Sequence, residues 1–224
     1  MTPRSRLLDD AVSHLGAVDP VVAALAARHG PPRLTRRRHG RTHFEALTRS
    51  ILYQQLAGSA AAAIHQRFLA AVGGTATPEA VLACSVERLR ECGLSGAKVA
   101  AVHDLARRVH HGELRLAGIG RLPDEAVVER LVQVRGVGRW TAEMFLIFTL
   151  GRLDVWPTGD FGVRAGYAQA WALPQAPAPK ELHALGERFR PYRSVVAWYC
   201  WRAADQRRSP AAATAALAAS SRSK

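Results

Sequence analysis

Apolar positions along the chain recur at three- and four-residue steps, the spacing of one helical face, with no convincing strand-like alternation. Residues 19–29, DPVVAALAARH, read as a helix capped by Asp19 with Pro20 at its first position. The stretch 30–41, GPPRLTRRRHGR, is a basic linker broken by glycine and proline. One long helix or two is expected over 43–72, with an apolar stripe through Phe44, Leu47, Ile51 and Leu52. Thr77-Pro78 opens another helix, which Gly93 is expected to stop. Further helices are expected over 97–111, over 124–134 with Asp124 as cap, over 139–150, from Asp160 onward, and over 180–206. Pro174 to Pro179 reads as a loop, and the Ala/Ser-rich residues 207–224 as a flexible tail with little to bury. The pattern is that of an all-α protein.

Composition adds a partner class. Hydrophobic residues make up 48% of 224, enough for one sizeable core or two small lobes. No apolar run reaches the length of a membrane span, and the N-terminus lacks the apolar core of a signal peptide, so a soluble, cytoplasmic protein is expected. The formal net charge is +13. Of the 31 basic residues only Lys98, Lys180 and Lys224 are lysine. A GC-rich genome explains arginine over lysine, but not the excess of basic over acidic residues, and that excess suits a polyanion. Cys84, Cys92 and Cys200 are too few for a four-iron cluster or a four-cysteine zinc site and read as free thiols. His39 and His43 read as solvated, with nothing to make them metal ligands.

The most informative segment is LVQVRGVGRWTAEMFLIF, residues 131–148. An apolar helix runs into Gly136-Val137-Gly138 and then directly into a second helix. Each glycine permits positive φ and close backbone approach, and Val137 should tuck between the helices. The N–H groups that open the second helix then form an anion site. A lone Gly-Val-Gly would equally suit an ordinary helix stop and hairpin. The whole segment, however, resembles the helix-hairpin-helix of the DNA glycosylase superfamily. Its continuation, GRLDVWPTGDFGVRAG at 151–166, resembles the proline-and-aspartate segment that follows the hairpin in that family. The match is best to 3-methyladenine DNA glycosylase II and its fungal relatives, and covers about residues 42–203.

The resemblance implies two helical lobes with a DNA-binding cleft between them. Residues 42–155 would form the central lobe, ending in the hairpin at 131–150. Residues 1–41 would join 156–206 in the other lobe. Larger bacterial members carry an extra N-terminal α/β domain, and the compact version is expected here. The implied hairpin contacts with DNA fall on Gly136, Val137, Gly138 and Arg139. In relatives a monovalent cation bridges hairpin carbonyls and phosphate; the matching carbonyls are those of Val132, Val134 and Val137. No other cofactor is implied. The expected partner is double-stranded DNA with damaged bases, met by a monomer.

Asp160 falls on the family's catalytic aspartate. Local sequence alone reads it as an N-cap, since aspartate is favoured there. The chemistry also needs a carboxylate: cleaving an N-glycosidic bond develops positive charge on the sugar, which an anion beside C1′ stabilises, and the same group can orient or deprotonate water. Asp154 is the nearest competitor but does not align. Bifunctional relatives attack C1′ with a lysine that opens the second hairpin helix. Trp140 stands there in this chain, so water is the expected nucleophile, without a lyase step.

N-alkylated purines are cationic and suit aromatic faces. Trp140, Met144 and Tyr192 match pocket-lining positions of the family, although the i, i+4 pair Trp140 and Met144 also suits helix packing. Larger bacterial members have an aromatic at the Met144 position. Trp198 and Trp201 are expected in the core. The target base must leave the stack, and Gln55 aligns with the residue that fills the hole. Gln54 is placed for the opposing strand, though a Gln-Gln pair also suits a solvated helix end. The implied function is a monofunctional glycosylase for alkylated purines. A non-catalytic helix-hairpin-helix DNA-binding protein, which would not require Asp160, and a glycosylase for other damaged bases stay open at this point.

Overall fold

The computed structural model describes residues 3–34, 42–56 and 58–208. Most of the basic linker, His39 and the tail from 209 lie outside those residues. Among the described residues every regular element is helical. The chain forms two compact units, Met1–Thr35 with Gly151–Lys224, and Arg36–Leu150.

The discontinuous unit begins with α1 (Pro3–Val18) and α2 (Pro20–His29). Asp19 caps α2 by accepting the Val21 N–H at 2.8 Å. It is itself buried, and also takes the Trp171 indole N–H at 3.0 Å and an Arg188 ion pair at 2.8 Å.

The described residues of the central unit form seven α-helices: α3 (His43–Tyr53), α4 (Gly58–Ala71), α5 (Pro78–Ala83), α6 (Val86–Glu91), α7 (Gly96–His110), α8 (Asp124–Leu131) and α9 (Arg139–Phe145). Thr42 opens α3 with a reciprocal capping box to Glu45. The long apolar run at 43–72 divides because the chain turns at Gln54-Gln55, where Gln55 has φ +55°. The helix opened by Thr77-Pro78 stops earlier than expected, at Cys84. Ser85 then caps a new helix by accepting the Arg88 N–H, and Gly93, at φ +94°, ends that one. Pro123 rather than Asp124 occupies the cap of α8, which leaves Asp124 in the first turn, where its charge still favours the helix dipole. Helix α9 passes into a π-helical turn at Leu146–Leu150.

The chain returns to the first unit through 151–160 and then α10 (Phe161–Ala170), α11 (Pro179–Gly186) and α12 (Arg193–Arg208). The helix expected over 180–206 is broken at Glu187–Phe189 and Arg190-Pro191, since proline lacks the N–H that a continuing helix needs. Helices α10 and α12 pack at van der Waals closeness through Gly166: a Cβ there would stand 1.8 Å from the Cys200 carbonyl oxygen. No described helix is long and apolar enough to cross a membrane.

Candidate functional site

In the discontinuous unit the approach to Asp160 is anchored on α12. The Val155 N–H donates to Ser194 Oγ at 2.9 Å, and the Ser194 N–H donates to the Leu153 carbonyl at 2.9 Å. Arg193 grips Asp154 through Nε to Oδ1 at 2.7 Å and Nη2 to Oδ2 at 3.0 Å, while Arg190 adds a bond at 2.9 Å. Asp154, the sequence competitor for catalysis, is therefore committed to an ion-pair network. The Trp156 indole N–H donates to the Leu182 carbonyl at 2.8 Å, and the Asp160 N–H closes a turn onto the Pro157 carbonyl at 2.9 Å.

Asp160 caps α10 and is 9% exposed. Its Oδ1 accepts the Val163 N–H at 2.8 Å and the Trp201 indole N–H at 3.0 Å. Trp201 was expected in the core with Trp198. Trp198 is buried, but Trp201 is only half-buried and reaches the carboxylate. The carboxylate lies on a cavity of about 470 Å³ lined also by Phe161, Gly162, Gln169, Trp201 and Asp205. Phe161 is 65% exposed there. Trp201 and Phe161 are site residues that periodicity could not find, because each reads as one more apolar position on a helix. Tyr192 is half-buried, its ring edge-on to His14 at 5.5 Å. The Cys200 thiol is wholly buried, and burial and then the nearby Asp160 push its pKa up, making it an inert neighbour.

In the central unit, residues 132–138 connect α8 to α9. Gly136 has φ +74°, and the Val137 N–H donates to the Val134 carbonyl at 3.0 Å while its side chain is buried. Gly138 differs from expectation: at φ −91°, ψ 174° it is ordinary extended backbone, and a Cβ there would meet nothing within 4 Å. What glycine contributes is openness, since it caps α9 without a side-chain acceptor in front of the helix start. Arg139 is ion-paired with Glu125, with Glu143 4.0 Å away. Trp140 is 46% exposed and Met144 half-buried.

Gln54 turns toward the hairpin: its Nε2 donates to the Gly136 carbonyl at 3.1 Å and to Thr141 Oγ1 at 3.2 Å. Gln55 is exposed at the tip of its turn. Lys98 donates to the carbonyls of Leu52 and Gln54 at 2.7 and 2.9 Å, and burial lowers its pKa. His43, expected to be solvated, is half-buried, with Nδ1 3.1 Å from the Leu116 carbonyl and its ring edge-on to Phe145. Among the described residues no cluster of histidine, cysteine and carboxylate groups could hold a metal ion.

An all-helical fold in which a glycine hairpin leads into a rigidly held aspartate defines a class. Residues 48–191 match the HhH-GPD superfamily of base excision DNA repair proteins, and the chain belongs to that superfamily. It is similar to DNA-3-methyladenine glycosylase 1 of Schizosaccharomyces pombe, with 35% identity over 198 residues that cover 87% of each chain. The solved structure of a 3-methyladenine DNA glycosylase from that yeast, in complex with abasic DNA, superposes with a TM-score of 0.78. It shares 35% identity over 86% of this chain and 95% of that one. A DNA-3-methyladenine glycosidase from Bacillus halodurans gives 0.77 at 33% identity, over 87% of this chain and 88% of that one.

Proposed function

We propose that this protein is a monofunctional DNA glycosylase that hydrolyses the N-glycosidic bond of alkylated purines such as 3-methyladenine. The observation that carries the reading is the Asp160 carboxylate, which is nearly buried and held by the Val163 and Trp201 N–H groups. Both the S. pombe and B. halodurans relatives carry 3-methyladenine glycosylase or glycosidase in their names.

In the reaction the C1′–N bond breaks and its electron pair leaves with the base. An N3- or N7-alkylated purine becomes neutral as it departs, so it needs no added proton. Positive charge grows on the deoxyribose, where the Asp160 carboxylate stabilises it. A water then forms the new C1′–O bond, and its proton passes to the carboxylate and on to solvent. Trp140, Met144 and Tyr192 are assigned to the base, the tryptophan offering a π face to a cation. Gly136, Val137, Gly138 and Arg139 are assigned to the phosphate backbone, with Arg139 exchanging Glu125 for phosphate, and Gln55 to the hole left by the flipped nucleotide. The carbonyls of Val132, Val134 and Val137 are neutral, hard oxygen donors, and Val134 keeps a second lone pair beside its turn bond. That donor set fits a monovalent cation, which would add positive charge beside a phosphate.

No lyase step is assigned. Trp140 cannot form a Schiff base. Of the lysines, Lys98 is committed to two carbonyls, Lys180 lies exposed on α11, and Lys224 is outside the described residues.

The test is base release from duplexes carrying 3-methyladenine, 7-methylguanine, ethenoadenine or hypoxanthine, with Asp160→Asn beside the wild type. Release of an alkylated purine is expected, with a roughly 10²–10³-fold loss in Asp160→Asn and retained binding to lesion DNA. Binding without release of any lesion by the wild type would make this a non-catalytic DNA-binding protein. Near-normal turnover by Asp160→Asn would place the carboxylate elsewhere.

A further inference from the structure

Helix α7 carries Lys98, Ala101 and Asp104 at successive three-residue steps, a spacing that keeps them along one side of a helix. Each meets a different part of the two turns assigned to DNA. Lys98 takes the carbonyls of Leu52 and Gln54, where α3 ends and intrahelical donors run out. A cation there also complements the helix dipole. Ala101 sets the closest approach to the hairpin: its Cβ is 3.2 Å from where a Cβ on Gly136 would stand. Asp104 Oδ2 accepts the Arg135 N–H at 2.8 Å and Arg108 Nε at 2.9 Å, and Oδ1 accepts Arg107 Nη2 at 3.1 Å.

Gln54 closes the frame from the opposite side. Both hydrogens of its amide go to the hairpin, one to the Gly136 carbonyl and one to Thr141 Oγ1. Gly136, at φ +74°, is thus bracketed: the preceding residue's N–H is held by Asp104, and its own carbonyl is held by Gln54. Its torsions have little slack. Gln54 is in turn held through its own carbonyl by Lys98.

We propose that α7 is a template that makes the turn after α3 and the hairpin one rigid body, so that the hairpin donors and Gln55 are presented in fixed register. Asp104 and Lys98 are positioning residues, and Gln54 is the strut between the turns rather than a reader of the opposing strand. A turn held in place before binding does not lose that freedom on binding, which lowers the cost of association. The inference rests on the assignment of these turns to DNA.

Electrostatics gives the test its sign. Deleting a carboxylate from a basic DNA-binding surface, and releasing Arg107 and Arg108 from it, should by charge alone tighten binding to DNA. The template predicts the opposite for Asp104→Ala, which removes the acceptor for Arg135. It predicts recovery for Asp104→Asn, which makes the same charge change but keeps an oxygen at that position. Equilibrium binding to an undamaged duplex is measured across several salt concentrations, with circular dichroism and thermal melts alongside. Asp104→Ala is expected to raise Kd about tenfold, with a salt slope shallower by about one unit as a phosphate contact is lost. Asp104→Asn is expected to bind at least as tightly as wild type. Amide exchange at Arg135 should quicken in the alanine variant and be restored in the asparagine variant. The loss should fall on Kd far more than on the base-release rate at saturating enzyme.

The inference is overturned if folded Asp104→Ala binds as tightly as wild type, or if the alanine and asparagine variants lose affinity equally. Failure of the wild type itself to bind duplex DNA would instead overturn the function proposed above, and the template's purpose with it.

Discussion

Gly162→Ala should separate catalysis from stability. Gly162 is the second residue of α10, two positions beyond Asp160. A Cβ there would lie 3.0 Å from Trp201 Cδ1, 3.1 Å from Asp160 Oδ1 and 3.4 Å from Trp201 Nε1. Ordinary carbon contacts sit at roughly 3.5–4.0 Å, so the indole and the carboxylate must each give by a few tenths of an ångström. They are the two ends of one hydrogen bond, now 3.0 Å long. Moving them apart by about 0.4 Å takes an N–H···O bond past its useful range. A hydrogen bond to a charged group contributes roughly 1.5–3 kcal/mol, and the displaced carboxylate recovers part of that from water. Against this, alanine is favoured over glycine inside a helix by about 0.5–1 kcal/mol. The net change in stability is expected within about 1 kcal/mol of zero, combining those two opposing effects.

Catalysis has no such compensation. A carboxylate shifted from the developing charge, and no longer fixed by Trp201, should forfeit about 1.4 kcal/mol of transition-state stabilisation, a tenfold drop in rate. The assay is single-turnover base release from a 7-methylguanine duplex, with a thermal melt on the same preparation. Release at the wild-type rate from a normally folded Gly162→Ala would refute the claim that the Trp201–Asp160 contact orients the carboxylate. Gly166→Ala is the contrasting control. Its Cβ would meet a backbone carbonyl at 1.8 Å rather than a side chain that can yield. It should therefore destabilise the protein by roughly 3 kcal/mol or more, at the severe end of overpacking.

Two further outcomes follow from the site. Borohydride present during turnover should trap no covalent protein–DNA adduct, because the proposed reaction uses water and the indole of Trp140 cannot form a Schiff base; a robust adduct would overturn hydrolysis by water. Gly138→Asp should fold normally, since that position is open and extended, and its new side chain can cap α9. Binding to damaged and undamaged DNA should nevertheless weaken, because a carboxylate then stands where a phosphate is proposed; unchanged binding at several salt concentrations would reduce the hairpin to a corner of the fold.

Asp19-Pro20 and Thr77-Pro78 mark starts that the structure keeps, because a cap and an N-terminal proline act within one turn. Breaks inside an apolar pattern are what the sequence leaves open, as in the one helix or two read over 43–72, or hides, as at Cys84-Ser85 and at Glu187–Phe189. The run over 43–72 cannot by itself reveal a turn at Gln54-Gln55, since that turn is held by Lys98 and by the hairpin, both distant in sequence. His43 read as solvated for the same reason: its partners, Leu116 and Phe145, are many residues away. Asp104 gave no signal at all. An aspartate beside two arginines on a helix looks like an exposed i, i+4 pairing, and only the fold brings the Arg135 N–H to it.

Asp160 is the residue for which local sequence and chemistry pull in different directions, and the structure removes the conflict between them. Sequence offers the cap and the catalytic carboxylate as competing explanations, because a free cap on a surface helix would be indifferent to which way its carboxylate faces. Here the cap bond is itself an orienting device. The Val163 N–H fixes Oδ1 to the start of α10, and Trp201 fixes the same atom to α12, two helices that Gly166 and Cys200 lock together. A carboxylate so held needs no reorganisation when charge develops in front of it, which is the condition for electrostatic stabilisation to be effective. An aspartate in a loop could supply the same charge but not the same fixed geometry. The capping role is therefore part of the proposed catalytic role. The Val163 N–H that makes Asp160 an ordinary cap and the Trp201 indole hold the same Oδ1, and Gly162, two positions on, leaves room for that contact.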